Sequence, residues 1–222
     1  MKIAVDGPAG AGKSTVAKLV AEKLGMLYID TGAMYRAVTY AVISNNIDVT
    51  DTPKIIEMLN KIDIKFVKEN DSIKIYLNNT DITDKIRNKE IDENVSVISA
   101  VPEVRDFLIK YQRELSENYD VILDGRDIGT VVFPDADFKF YIDASVEVRA
   151  KRRLNDAKNK EKLSLEEIKK DIIKRDKMDS SRKVGPLKKA DDAIYIDTSD
   201  YSVNEVVDMI IDEIGKKSIE LF

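Results

Sequence analysis

Ile3-Ala4-Val5-Asp6-Gly7-Pro8-Ala9-Gly10-Ala11-Gly12-Lys13-Ser14 decides the fold. Its first four residues are a β-rich apolar run, and the rest fits G-x-x-x-x-G-K-[ST] in full. A helical pattern, Lys13 to Leu24, follows and is closed by Gly25. A glycine-rich turn between a strand and a helix start aims backbone N–H groups and the positive end of the helix dipole at one point. That geometry holds phosphate. Gly7, Pro8, Ala9, Gly10, Ala11, Gly12, Lys13, Ser14 and Thr15 are therefore expected to wrap a nucleoside triphosphate. Lys13 would reach the β- and γ-phosphates, and Ser14 would ligate magnesium.

Four further runs have the form of the first. They are Leu27-Tyr28-Ile29-Asp30, Val121-Ile122-Leu123-Asp124, Phe140-Tyr141-Ile142-Asp143 and Ile194-Tyr195-Ile196-Asp197. Continuous apolar character marks strands buried on both faces, as in a parallel sheet. Helical patterns lie between them: Pro102 to Leu115, and Val203 to Ile214, which opens on a Ser202 to Glu205 capping box and closes at Gly215. This alternation predicts an α/β fold, a five-stranded parallel sheet flanked by helices, with ligands at the carboxyl ends of the strands. Of the strand-ending aspartates, Asp143 and Asp197 read as turn residues, whereas Asp124 is placed to hold magnesium through water.

One stretch has a different period. Ile62 to Val67 and Ile73 to Leu77 alternate apolar and polar around a Glu69-Asn70-Asp71-Ser72 turn, which predicts an antiparallel hairpin within an insertion spanning roughly 41–94. Near the other end, Asp156 to Glu161 is a polar break and Ser164 to Glu167 a second capping box. Two charged helices joined by a mobile tip are expected there, a short helical lid at roughly 150–168. The core is then roughly 1–40 and 95–222 of one domain.

Composition removes whole classes of chemistry. The 222 residues contain neither cysteine nor histidine, which excludes disulfide scaffolds, thiol and Ser-His-Asp catalysis, and zinc sites built on those ligands. No run approaches a membrane span, and the first apolar run is too short for a signal peptide, so a cytoplasmic protein is expected. The net charge is -5, yet Ser145 to Ala190 carries 16 Lys or Arg against 8 Asp or Glu. Such a block suits a solvated helix, a nucleic acid or a polyphosphate. Within it Arg149, Arg152 and Arg153 share one helix face, as do Arg175, Asp179 and Arg182.

Phosphoryl transfer to a phosphorylated acceptor needs cations beyond the loop lysine, and arginine gives the bidentate contact. Asp124-Gly125-Arg126-Asp127 and Asp30-Thr31-Gly32-Ala33-Met34-Tyr35-Arg36 place arginines just past strand ends. The competing class is a GTP-driven switch, for which Asn60-Lys61-Ile62-Asp63 matches the guanine-reading N-K-x-D pattern. That match lies ahead of the hairpin rather than after a buried parallel strand, and is read as coincidence.

With these residues quoted, the chain resembles the bacterial cytidylate kinases nearly end to end. The stretches that carry the likeness are Asp6 to Thr15, Asp30 to Arg36, Asp124 to Ala136 and Pro186 to Ala193. The resemblance implies an adenylate-kinase-like core of the P-loop NTPase class, a short lid without zinc, and an insertion that holds the acceptor. It implies ATP as donor with Mg2+, CMP or dCMP as acceptor, no nucleic-acid or membrane partner, and a monomer. A UMP kinase or a general monophosphate kinase is the alternative. Arg36 and Arg126 would hold the CMP phosphate with Thr31 nearby, where the family often has serine. Ser96, Arg105 and Asp127 would frame cytosine, Arg175 and Asp179 the ribose, and Arg182 the acceptor side of the phosphates. Arg149, Arg152 and Arg153 would belong to the lid. Catalysis would fall to Lys13, Arg126, Arg152, Arg153 and Arg182.

Overall fold

The computed structural model describes residues 1–69, 72–155 and 164–219. The expected polar break from Asp156 to Glu161 and its lid tip lie outside them, as do Asn70 and Asp71 of the hairpin turn. In chain order the elements are β1 (Lys2–Asp6), α1 (Lys13–Leu24), β2 (Leu27–Asp30), α2 (Thr31–Ser44), α3 (Thr52–Leu59), β3 (Ile64–Glu69), β4 (Ser72–Leu77) and β5 (Thr80–Asp81). They continue with α4 (Lys89–Ile98), α5 (Pro102–Leu115), β6 (Val121–Gly125), a π-helical turn (Ile128–Val132) and β7 (Phe138–Asp143). The chain ends on α6 (Val146–Asn155), α7 (Leu165–Ser180), β8 (Ile194–Asp197) and α8 (Val203–Ile219).

All five predicted parallel strands are present, in the order β2-β6-β1-β7-β8. Two compact units make up the chain, residues 1–26 with 121–222, and residues 27–120. In the first, β1 is central: it runs parallel to β6, with Val5 opposite Asp124 and Asp6 opposite Gly125, and to β7, with Asp6 opposite Tyr141. Ile3, Val5, Ile122, Leu123 and Phe140 are buried because helices cover both faces of these strands. Burying a side chain of this size contributes about 1.5–3 kcal/mol. The helix α1 turns Val16, Ala17, Val20 and Ala21 inward and packs on β6 and α8.

The last strand departs from the expectation of burial on both faces. Ile194 and Tyr195 are exposed because β8 is the sheet edge, with a partner, β7, on one side only. The final helix also continues past Gly215 to Ile219. The two capping boxes, at Ser164 with Glu167 and at Ser202 with Glu205, are both formed. Behind the first, α6 and α7 close on Ala150, Ile168 and Ile172.

The second unit carries the predicted hairpin. β3 and β4 pair antiparallel, with Ile64 opposite Leu77 and Phe66 opposite Ile75, and β5 adds a third short strand. Phe66 meets the Tyr111 ring edge-on at 5.4 Å. The helix α2 packs on α4 and α5. Asn60 of the N-K-x-D match is the C-cap of α3, a helix end rather than a strand end.

Candidate active site

The phosphate loop is the turn from β1 to α1. Gly7 has φ +145, and a Cβ there would lie 1.9 Å from the Ile142 carbonyl oxygen, so only glycine lets β7 pass this close. The loop is braced from behind by arginines of α6. Arg149 is buried and donates to the carbonyls of Ala9 (2.9 Å) and Ala144 (2.9 Å) and to Asp176 (2.7 Å). Arg152 donates to the Ala11 carbonyl (3.3 Å) and to the Thr198 hydroxyl and carbonyl (2.9 and 2.6 Å). Arg153 lies half-buried on the same helix.

Within the loop, Lys13 is buried and donates to the Pro8 carbonyl at 2.7 Å. Burial pushes its ammonium down, to about 7; Arg126 adds to the depression, Asp124 and Asp6 oppose it, and Arg175 lowers it further. Those side chains therefore surround one lysine closely enough to act on its charge. Ser14 donates to Asp124 Oδ2 at 2.6 Å, pairing the two residues read from sequence as magnesium-holding. A hydroxyl beside a carboxylate is a hard-oxygen donor set that suits Mg2+. Among the described residues no group of three or more acidic side chains could hold a metal, so waters and phosphate oxygens would have to complete the shell.

Past β6 gather residues expected from sequence on the acceptor side. Arg126 Nε donates to Asp179 Oδ2 (2.8 Å), and Arg182 donates to Asp179 Oδ1 (2.5 Å). Burial pushes the Asp179 carboxyl up, but Arg126, Arg182 and Arg175 outweigh it and hold the group below the usual range. The face predicted for Arg175, Asp179 and Arg182 is thus a charge cluster, not a solvated stripe. Asp127 is buried at the start of the π turn. That turn has true i to i−5 bonds, Val132 N–H to the Asp127 carbonyl and Phe133 N–H to the Ile128 carbonyl. Such turns recur at functional sites.

The second unit holds the other expected residues. Asp30 caps α2 by accepting from the Ala33 amide, which buries Thr31 in the first turn. One turn on, Arg36 donates twice to Asp92 Oδ1, at 3.1 and 3.0 Å. Gly32 makes room for it, since a Cβ there would lie 3.1 Å from the guanidinium. Arg105 is 1% exposed, donates to the Ser99 carbonyl (3.2 Å) and lies over the Tyr35 ring. Ser99 in turn donates to the Ser96 carbonyl, which links Ser96 to Arg105 through Ser99.

Sequence reasoning passed over several supporting residues. Asp92 holds Arg36, Asp176 holds Arg149, and Thr198, 2% exposed, sets its hydroxyl 3.2 Å from the Ala11 carbonyl. Asp6 was visible only as a strand end. Its carboxylate accepts from the Ile128 and Gly129 amides, 2.8 Å each. Burial pushes it up to about 7, against the pull of those two amides. For Thr198 the available signal was its place directly after a strand-ending aspartate.

Comparison with known proteins agrees with this geometry. The family model described as cytidylate kinase matches residues 3–216. A cytidylate kinase of Bacillus subtilis (strain 168) is 48% identical over 219 residues, covering 98% of each chain. One from Halalkalibacterium halodurans is 50% identical over 212 residues, covering 95% of this chain and 96% of its own. Among solved structures, a gluconokinase from Sinorhizobium meliloti 1021 aligns with TM-score 0.52 at 13% identity over 99% of this chain and 94% of that one, a likeness of fold alone. A phosphate loop with a paired hydroxyl and carboxylate, an arginine cluster beside it and this match along nearly the whole length agree: the chain belongs to the cytidylate kinase family.

Proposed function

We propose that this chain transfers the γ-phosphoryl group of ATP to CMP, giving CDP and ADP, and that dCMP is accepted as well. The observation that carries the reading is the cluster of Arg126, Arg175 and Arg182 around Asp179, close enough for Arg126 and Arg175 to act on Lys13. A kinase for an uncharged acceptor has no need of a second set of phosphate cations, and a kinase for a monophosphate does.

In the reaction an oxygen of the CMP phosphate attacks the γ-phosphorus, and the bond to the β,γ-bridging oxygen breaks. The protein has little covalent chemistry to perform, so it supplies position and positive charge. Residues Gly7 to Thr15 wrap the donor phosphates, with Lys13 leaving the Pro8 carbonyl for the β- and γ-oxygens. Ser14 and Asp124 would hold Mg2+, Asp124 through water. When bound, the metal neutralises charge on the β- and γ-oxygens. Arg36 and Arg126 take the CMP phosphate, with Thr31 nearby, and Arg182 the acceptor side of the phosphates. Ser96, Arg105 and Asp127 read cytosine, whose N4 amino group donates while N3 and O2 accept. Arg175 and Asp179 meet the ribose.

The insertion at roughly 41–94 serves the acceptor. The segment at roughly 150–168, with Arg152 and Arg153, serves as a lid that excludes water, whereas Arg149, grouped with them by sequence, is a buried anchor held at Ala9, Ala144 and Asp176. A cytoplasmic monomer without nucleic-acid partners completes the proposal. An ATP-coupled assay over CMP, dCMP, UMP, AMP and GMP tests it. Turnover of CMP and dCMP well above the rest is expected, and equal turnover of AMP overturns it in favour of a general monophosphate kinase.

A further inference from the structure

Asp6 ends β1 and directly precedes the phosphate loop, and it is 4% exposed. A carboxylate that merely finished a strand would satisfy a neighbouring turn. This one reaches residues more than a hundred positions away, giving Oδ1 to the Ile128 amide and Oδ2 to the Gly129 amide. Those amides lie two and three residues beyond Arg126, and one and two beyond Asp127.

The sheet does not fix this segment. Its register with β1 ends at Asp6 opposite Gly125, and Arg126 and Asp127 lie between the strand end and the π turn, outside the sheet. The π turn that follows bonds backward from Val132 and Phe133, which leaves its first amides without acceptors inside the turn. Asp6 supplies acceptors for two of them. Lys139 closes the segment from another side. A Cβ on Gly129 would meet its Cδ at 3.2 Å and Asp6 Oδ2 at 3.4 Å, and Lys139 is itself held by the Pro134 carbonyl and Asp192.

We propose that Asp6 is a positioning residue: it ties the segment carrying Arg126 and Asp127 to the strand that carries the phosphate loop, so that the donor lysine and the acceptor arginine keep one spacing. The inference rests on the reading of Arg126 as a ligand of the acceptor phosphate. Phosphoryl transfer is sensitive to such spacing, because the attacking and leaving oxygens must stay in line.

The test is a double-mutant cycle with Asp6→Asn and Arg126→Ala, reading kcat and KM for CMP, equilibrium ATP affinity and the circular-dichroism spectrum. Asparagine keeps the size but turns a donor toward one of the two amides. Asp6→Asn is expected to lower kcat/KM for CMP at least about tenfold with ATP affinity changed less than about threefold, and to add less than about threefold in the Arg126→Ala background. Wild-type kinetics in Asp6→Asn overturns the proposal, and so does an equal fractional loss in both backgrounds, which marks a structural effect independent of Arg126. Arg126→Ala with wild-type CMP kinetics overturns the reading of Arg126 itself and the proposal with it. Should Asp6→Asn lose the folded spectrum, Asp6→Glu takes its place. The longer arm keeps both acceptors but pushes the segment outward, so the same losses are expected and wild-type kinetics is equally fatal.

Discussion

Arg126 and Arg182 share one carboxylate, the first on Oδ2 of Asp179 and the second on Oδ1. The Asp179 side chain is 2% exposed, so this charge is held out of water by the two guanidiniums. Without it, two partly buried like charges would face each other. The shared carboxylate orients both guanidiniums, and Arg126 is fixed further by its bond to the Gly125 carbonyl at 3.1 Å.

Asp179→Asn should therefore lower kcat/KM for CMP by about tenfold to a hundredfold, read in steady-state kinetics. It should also change acid stability. The native carboxyl sits below its unfolded value near 3.9, so its stabilisation is present above that pH and is lost as pH falls through the depressed value. Urea unfolding between pH 5 and pH 2 should show a shallower fall of stability in Asp179→Asn than in the wild type. An unchanged slope removes Asp179 as the acid-labile group.

Asp6 has the opposite sign. Burial raises its carboxyl to about 7 in the native state, so the folded protein binds the extra proton between about pH 4 and 7. Its contribution is full at low pH and is lost as pH rises through 7, at up to about 1.4 kcal/mol per pH unit. Unfolding free energies of Asp6→Asn against pH should lack that component, whatever the absolute stability of the variant. Parallel curves for variant and wild type contradict this.

The parts legible from sequence share a cause. The strand cores could be read because parallel strands buried on both faces must be apolar throughout, and the rule failed at the two edges, where β8 is largely exposed and β2 alternates buried with half-buried residues. The loop could be read because its glycines are forced, as the Ile142 carbonyl beside Gly7 makes plain. The i, i+3 and i+4 spacing put Arg149 and Arg152 on one face of α6, but nothing in that spacing says what the face meets. It meets main-chain carbonyls of Ala9, Ala11 and Ala144, and a carbonyl leaves no trace in residue type. The same holds for Asp6, whose partners are amides of an irregular turn.

Lys13→Ala should lower phosphoryl transfer by orders of magnitude and leave the fold intact, because among the described residues its hydrogen bond goes to a loop carbonyl and its charge acts on what develops in the transition state. Single-turnover rates and the thermal midpoint check the two halves separately. Near-normal turnover denies the loop a catalytic part.

Base choice should rest on the buried set around Arg105. Arg105→Met keeps a long apolar stem over Tyr35 but removes the donors. Wild type is expected to prefer CMP over AMP and GMP by at least about a hundredfold in kcat/KM, since a site built on hydrogen bonds leaves groups unpaired with the wrong base. The variant should narrow that ratio mainly through lost CMP activity. A ratio unchanged in Arg105→Met assigns base reading elsewhere.

Arg149 and Arg152 grip the same loop from one helix, yet their removal should read differently. Arg149 is buried and anchors Ala9, Ala144 and Asp176 together. Truncating it leaves a cavity and strips two carbonyls and the partly exposed Asp176 carboxylate of their donor, and Arg149→Ala should lose about 3–5 kcal/mol of stability in urea unfolding. Arg152 is partly exposed and holds the loop at Ala11 and at Thr198, whose hydroxyl lies against the same carbonyl. In Arg152→Ala the Thr198 hydroxyl, shared between the carbonyls of Asp143 (2.9 Å) and Ala11 (3.2 Å), stays beside the loop, so the fold should survive with a loss below about 1 kcal/mol. What changes is charge beside the donor phosphates and the stiffness of the loop that must follow them into the transition state. Arg152→Ala should thus lower the single-turnover rate at least about tenfold while equilibrium CMP affinity moves less than about threefold. Unfolding curves, single-turnover rates and CMP titrations on the two variants separate the roles. A wild-type rate in Arg152→Ala returns that arginine to a purely structural brace, and a stable Arg149→Ala contradicts the buried anchor.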